Sequence, residues 1–175
     1  MDSERLPRRL VAAGAHQQWR TPDRAGLLFT DLSLLELARR SVDAAPPLAV
    51  DIDTVAGLAP DGSAVAFLVR RLGVSIVITR RPALATHALE LGCLALLHVH
   101  CLDSTGLERA LRTHPGPPVG TAVSPGLILR HLDPAQRLLL PRPVLAYGLL
   151  RTGAEAAEAL AAGADGVVTM SHIES

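Results

Sequence analysis

Eight short runs of apolar residues recur along this 175-residue chain, and they constrain its fold more than any other feature. They do not alternate with polar residues, which is typical of strands in a parallel sheet that is buried on both faces. The runs are Arg9–Ala13, Gly26–Thr30, Pro47–Ile52, Val74–Thr79, Leu94–His100, Val119–Val123, Pro143–Tyr147 and Gly166–Thr169. The chain is therefore expected to be an α/β protein with eight strands.

Helix signals lie between the strand-like runs. Asp31 precedes a Leu-rich helical pattern, and Thr105 with Glu108 and Thr152 with Glu155 have capping-box spacing. Three glycines lie where helices should end before the next strand, as C-terminal caps prefer; they are Gly73, Gly92 and Gly163. This order predicts repeated β–α steps.

The favoured fold is a small (β/α)8 TIM-like barrel with short helices. Eight steps leave about 22 residues each, well below the usual size of this fold. Only His172 to Ser175 follow the eighth run, so a truncated last helix is expected. A doubly wound open sheet is the competing layout, but no Gly-rich dinucleotide fingerprint follows the first strand. We expect a flexible N-terminal tail over residues 1–7 and a single barrel domain over 8–175.

Composition excludes one enzyme class and limits the partners. All 17 basic residues are arginine, so the chain lacks the lysine amine that Schiff-base aldolases need. Seventeen acidic residues bring the net charge to zero, so RNA binding would require an uneven charge distribution or a multimer. No apolar run approaches the ~20 residues that span a bilayer, and the N-terminus has no hydrophobic signal core. A cytoplasmic location without a membrane partner is expected.

Polar residues and a glycine follow the predicted strands at their carboxyl ends, where parallel barrels keep their active or binding sites. We expect them to converge on one small-ligand pocket. They are Asp31, Asp51, Asp53, Thr79, Arg80, His98, His100, Ser124, Gly148, Thr169 and Ser171.

The segment from Pro143 to Ser171 predicts a phosphate cradle. Backbone N–H groups of a glycine turn and a helix N-terminus bind anions without a charged side chain, and such barrels often bind phosphate after their last two strands. Gly148 is the candidate for close backbone approach, although a plain strand-to-helix turn also favours glycine. Thr169 and Ser171 end the next strand, and Arg80 is the candidate cation.

Two pairs of residues could contribute further contacts. Asp51 and Asp53 are two apart, so on a strand their side chains would share a face and bind ligand hydroxyls or Mg²⁺. A hydroxyl-binding or structural role is favoured, because hard cations usually want more oxygen ligands. His98 and His100 also share a face, but zinc would need a third ligand. No catalytic constellation, metal site or cofactor is predicted.

Several arginines lie near predicted helix ends, at the face opposite the expected pocket. They are Arg39, Arg40, Arg70, Arg71, Arg109, Arg112 and Arg130. Pairing with the helix dipole accounts for them, and this explanation is favoured. The alternative is a basic rim that holds RNA phosphates away from the ligand.

Short segments at the strand ends carry a family resemblance from Gly26 onward. They are Asp53–Leu58 (DTVAGL), Ile78–Arg80, Leu102–Ser104, Pro125–Gly126, Gly148–Leu149 with Arg151–Thr152, and Thr169 with Ser171. In order and spacing they resemble the glycerol uptake operon antiterminators, cytoplasmic bacterial regulators built on a small (β/α) barrel. The resemblance implies a non-enzymatic regulator that binds glycerol 3-phosphate, or a similar small phosphate ester, and acts on leader mRNA. It is compatible with a homodimer and adds Leu149 to the expected ligand-binding residues.

The alternative function is a phosphosugar-binding barrel enzyme, an isomerase or a lyase. The chain also departs from the family pattern. Asp51 stands where the family usually has His, Tyr147 replaces a glycine, Leu97-His98 replace Gln-Arg, and Ala122 replaces Glu. A carboxylate gained at the mouth should weaken anion binding. Tyr147 is expected to fill part of the pocket, and a different phosphorylated ligand is compatible with these changes.

Overall fold

The computed structural model describes residues 6–14, 25–44, 47–101 and 103–169. Over these ranges the chain forms a closed barrel in which each strand pairs in parallel with the next, and β8 pairs with β1. The strands are β1 Arg9–Ala13, β2 Gly26–Phe29, β3 Leu48–Asp51, β4 Ile76–Thr79, β5 Leu94–His100, β6 Gly120–Ser124, β7 Val144–Ala146 and β8 Gly166–Thr169. Each lies within two residues of its predicted bounds, so the predicted TIM-like fold is confirmed.

Short helices connect the strands on the outside of the barrel. They are α1 Leu34–Asp43, α2 Gly62–Leu72, α3 Pro82–Glu90, α4 Ser104–Thr113, α5 Pro134–Leu138 and α6 Gly153–Ala161. Two 3₁₀ helices, Ile52–Thr54 and Gly126–His131, follow β3 and β6. The predicted truncated last helix falls on residues outside the described ranges.

Two apolar layers stabilise the barrel. An inner layer fills its centre with side chains such as Leu28, Ile78 and Leu145. An outer layer packs the opposite faces of the strands, including Leu27 and Val77, against the helices. Because both faces of each strand are buried, the strands show no polar alternation in the sequence.

Two predicted helix starts are wrong. Asp31 has φ of 54° and cannot take the extended backbone of an N-cap, and Ser33 caps α1 instead. Thr105 lies inside α4, because Asp103 accepts the N-cap hydrogen bond from the Gly106 amide. The Thr152–Glu155 capping box is confirmed.

The three glycines that were predicted to end helices, Gly73, Gly92 and Gly163, all have positive φ. Gly73 is the C-cap of α2, in the left-handed conformation that closes a helix. The expected boundary between tail and domain stays a prediction. Residues 1–5 lie outside the described ranges, and Leu6 packs against the inner layer of the barrel.

The pleat decides which polar side chains face the barrel interior, because successive residues of a strand point to opposite faces. Ala49, Ile78, Leu96, Ala122 and Leu145 belong to the inner layer. The inward positions that follow them, toward the carboxyl ends of their strands, are Asp51, Arg80, His98, Ser124 and Tyr147. These five residues form the floor of the barrel mouth.

Candidate ligand-binding site

Two adjacent pockets open at the carboxyl ends of the strands. The larger, of about 570 Å³, lies beside β1, β2, β7 and β8 and is lined by residues such as Thr30, Asp31, Gly148, Leu149 and Arg151. The smaller, of about 330 Å³, lies beside β3 to β6. Its lining includes Asp51, Thr54, Arg80, His98, His100 and Ser124. The predicted mouth is therefore divided.

Tyr147 is the wall between the two pockets. It follows β7, is half-buried, and lines both of them together with Gly148. Its hydroxyl donates a hydrogen bond of 3.3 Å to Oδ2 of Asp51, and its ring centroid lies 5.0 Å from that of His98. As expected from the sequence, this side chain occupies part of the mouth.

The turn after β7 gives the larger pocket an unusual backbone. Gly148 and Leu149 both have positive φ, 76° and 60°, and the Gly148 carbonyl accepts a hydrogen bond from the Gly126 amide. Among the described residues, no group accepts a hydrogen bond from the amides of Gly148, Leu149 and Leu150. Three successive N–H groups without partners are the feature that backbone anion sites share.

The next two amides along the chain are already occupied. The Glu155 carboxylate accepts hydrogen bonds from the amides of Arg151 at 2.6 Å and Thr152 at 3.1 Å. These bonds lower the pKa of Glu155, the Arg151 amide contributing most. The N-terminus of α6 is thus capped by its own side chain, and among the described amides of this turn those of residues 148–150 remain available to an anion in the larger pocket.

A continuous chain of polar contacts crosses the smaller pocket. Oδ2 of Asp51 lies 3.7 Å from Nδ1 of His98, and Nε2 of His98 lies 2.8 Å from the Ser124 hydroxyl. The same hydroxyl lies 3.0 Å from Nδ1 of His100. Asp51, His98 and Ser124 come from β3, β5 and β6 and meet because all three face inward at the same level.

Burial controls ionisation in this chain of contacts. It raises the pKa of Asp51 to about 6, with the nearby Asp53 carboxylate adding to the effect. Burial also lowers the pKa of His98 to about 4, helped by His100 and Arg80. The pKa of Tyr147 is raised by burial and by Asp51, so the phenol stays neutral and donates. Near pH 7, Asp51 is an anion beside a neutral imidazole, so their contact is not an ion pair.

Asp51 and Asp53 do not share a face as predicted, because β3 ends at Asp51 and Asp53 lies in the 3₁₀ helix that follows. The Asp53 carboxylate accepts from the Thr79 hydroxyl at 3.0 Å and the Arg80 amide at 2.6 Å. Nε of Arg81 donates to it at 3.2 Å. Asp53 therefore holds the loop after β4, while the Arg80 side chain lines the smaller pocket.

Thr79 and Thr169 follow inner-layer residues by one position, so both side chains face outward. The Thr79 hydroxyl contacts Asp53, and the Thr169 hydroxyl accepts a hydrogen bond from Nε of Arg9 at 2.9 Å. Thr169 still lines the larger pocket, and Leu149 is half-exposed at its rim. Ser171, the remaining predicted site residue, lies outside the described residues.

His100 and Tyr147 were expected at the mouth, and both line the smaller pocket at the next inward positions after His98 and Leu145. Other lining residues were not among those predicted. Thr30 follows the inner residue Leu28 by the same spacing. Arg151 and Thr54 lie in turns, where no such periodicity applies.

Neither a metal-binding cluster nor a membrane-spanning helix is present within the residues that the structure describes. Over those ranges, no three His, Cys, Asp or Glu side chains come together in a way that could hold a metal ion. Within the same ranges, no helix has the length and apolar character to cross a bilayer.

Comparison with known families decides the classification. The sequence profile of the glycerol-3-phosphate responsive antiterminators matches residues 23–173, which is most of the chain. The chain belongs to this family. No curated protein matches it at a significant level. The antiterminator family is one of regulators, and this chain shares its barrel.

Solved structures agree with the fold. A glycerol uptake operon antiterminator regulatory protein from Listeria monocytogenes superposes with a TM-score of 0.76 at 20% identity, covering 94% of this chain and 95% of that one. A related protein from Thermotoga maritima has a TM-score of 0.72 at 26% identity, covering 94% of both chains. Deoxyribose phosphate aldolase from Aeropyrum pernix has a TM-score of 0.65 at 17% identity, covering 97% and 87%. The present chain contains no lysine, the residue whose amine forms the Schiff base in aldolases of that mechanism.

Proposed function

We propose that this family member binds glycerol 3-phosphate, or a similar small phosphate ester, in the larger pocket and, when bound, acts on leader mRNA as a transcription antiterminator in the cytoplasm. The observation that carries the proposal is the turn after β7. There, the amides of Gly148, Leu149 and Leu150 have no partner among the described residues and line a pocket at the end of a parallel barrel.

The larger pocket suits a small phosphate ester better than the smaller one. Successive backbone amides favour an anion, and Arg151 adds a positive charge at the same rim. The Asp31 carboxylate lines the same pocket and can accept hydrogen bonds from ligand hydroxyls. The smaller pocket is lined by Arg80 as well, but it holds the buried anion of Asp51, which would repel a phosphate more strongly than the exposed Asp31 carboxylate would.

The RNA would bind at a local basic surface, because the whole chain carries no net charge. Helices α1 and α2 pack side by side, and both carry exposed arginines, Arg39 in the second half of α1 and Arg70 and Arg71 in the last turn of α2. Over the described residues, none of these three forms an ion pair. This surface lies at the face opposite the pockets, where ligand and RNA would not compete.

Calorimetry tests the ligand half of the proposal. Glycerol 3-phosphate should bind to the wild type and should not bind to Gly148→Asp, which places a carboxylate beside the free amides while tolerating the positive φ. Gly73→Asp is the matched control, because Gly73 also has positive φ and open space around a Cβ but caps α2. Equal affinity in wild type and Gly148→Asp would contradict the placement.

Titration of the cognate leader RNA tests the regulatory half. Glycerol 3-phosphate should tighten RNA binding, since a ligand shifts an equilibrium only by differential affinity. The double variant Arg70→Glu/Arg71→Glu should weaken RNA binding and reduce its salt dependence without changing ligand affinity. If Arg109→Glu/Arg112→Glu lost RNA binding instead, the RNA-binding surface would lie on α4. Equal RNA affinity with and without glycerol 3-phosphate would contradict the proposal.

A further inference from the structure

The smaller pocket contains an ordered set of hydrogen bonds that ligand binding in the larger pocket does not use. Ser124 is buried, with 8% exposure, at the end of β6, and its hydroxyl lies between two imidazole nitrogens. On its other side, His98 faces the Asp51 carboxylate. The nitrogens are placed in a specific order, with Nδ1 toward the carboxylate and Nε2 toward the hydroxyl.

The charge of Asp51 gives this chain of contacts a direction. Its carboxylate lies 3.7 Å from Nδ1 of His98, beyond hydrogen-bond length, and the negative charge favours the tautomer of neutral His98 that carries its proton on Nδ1. Nε2 of His98 is then an acceptor, and the Ser124 hydroxyl donates to it. Ser124 can in turn accept from Nδ1 of His100. The serine proton is therefore directed at a base that is oriented by a third group, as in an activated nucleophile.

We propose that Ser124 is a nucleophile that hydrolyses small carboxylic esters, with His98 as its general base and Asp51 as the residue that orients His98. The proposal goes beyond the regulatory function and does not depend on it. A neutral carbonyl is the suitable centre, because the buried Asp51 carboxylate disfavours an anionic phosphoryl group in the same pocket.

The reaction balances with water as the only co-reactant. Oγ of Ser124 bonds to the ester carbon as its proton passes to Nε2 of His98. The carbonyl electron pair moves to oxygen, toward the positive charge of Arg80, which lines the same pocket and also lies 3.7 Å from the Asp53 carboxylate. Its return expels the alcohol, which takes the proton from His98. Water then attacks the acyl-serine with the same base, releases the carboxylic acid and restores Ser124.

Covalent labelling tests the nucleophile without a variant. Diisopropyl fluorophosphate should add one diisopropylphosphoryl group to the wild-type protein, with loss of fluoride, and peptide mapping should place it on Ser124. Hydrolysis of p-nitrophenyl acetate should be lost in Ser124→Ala and kept in Ser41→Ala, which removes a helix-surface hydroxyl on α1. An unlabelled protein, or a label on another residue, would overturn the proposal.

The positioning role of Asp51 needs a kinetic readout. Asp51→Asn should lower kcat for p-nitrophenyl acetate roughly 100-fold or more while leaving KM unchanged, because the base loses its orientation and the substrate keeps its contacts. An unchanged kcat would overturn this role. A glycerol 3-phosphate titration on the same preparation separates the two proposals, since ester hydrolysis and ligand binding can fail independently.

Discussion

Asp51 and His98 should make the stability of the folded protein depend on pH in opposite directions, so that the two effects largely cancel. Burial raises the pKa of Asp51 from 3.8 to about 6, so its contribution to stability is fully present below pH 3.8 and is lost as the pH rises through 6. Burial lowers the pKa of His98 from 6.5 to about 4, so its contribution is present above pH 6.5 and is lost as the pH falls through 4.

The two effects have similar size over nearly the same pH range. Each pKa moves by about two pH units, and one unit corresponds to about 1.4 kcal/mol, so each group changes the free energy of unfolding by about 3 kcal/mol. Between pH 4 and 6 the free energy of unfolding falls with rising pH because of Asp51 and rises because of His98, and in the wild type these two changes nearly cancel. Neither residue is among the causes of the other's shift, so each can be removed separately.

Substituting either residue should therefore expose the pH dependence of stability that the other residue causes. Relative to wild type, His98→Gln should lose about 3 kcal/mol of stability as the pH rises from 4 to 6.5, because only the Asp51 effect remains. Asp51→Asn should gain about the same amount over that range. Urea unfolding at pH 4, 5, 6 and 7, followed by far-UV circular dichroism, measures both. If the free energies of unfolding of the wild type and of both variants changed with pH in parallel, the reasoning would be refuted. An NMR titration of His98 checks its pKa independently.

Three further substitutions test the surroundings of the larger pocket. Tyr147→Phe removes a hydrogen bond to the Asp51 carboxylate and should raise the pKa of Asp51 further, as measured by carboxyl ¹³C titration; a fall would contradict the contact. Thr152→Ala breaks the capping box of α6 and should cost about 1 kcal/mol in urea unfolding, and no change would show that the cap is dispensable. Leu149→Asn should stabilise the fold by up to about 1 kcal/mol, because Asn tolerates a positive φ better than Leu, whereas a loss would show that the turn is unstrained.

The fold could be predicted because burial on both faces leaves a direct mark on the sequence. A parallel strand such as Ile76–Thr79 reads as an uninterrupted apolar run, and each run became a strand. Helix starts were less accurate, because an N-cap needs extended backbone as well as a suitable side chain. Asp31 has a side chain suited to an N-cap but a φ of 54°, and its residue type does not show that backbone angle.

The candidate site was predictable in position but not in arrangement. Strand ends marked the mouth, yet the orientation of Thr79 and Thr169 depends on the pleat register. The division of the mouth depends on a contact between Tyr147 and Asp51 across the barrel, 96 positions apart in the chain. No local pattern reports a contact of that kind, and the capping of α6 by Glu155 likewise depended on side-chain geometry.

An amide-resolved NMR titration with glycerol 3-phosphate tests the central claim most directly. If the turn after β7 is the phosphate site, the ¹⁵N–¹H signals of Gly148, Leu149 and Leu150 should move downfield together and saturate at one ligand equivalent. Signals from the smaller pocket, such as His100, should move less. Saturable shifts confined to the smaller pocket, or none in the turn, would contradict the account.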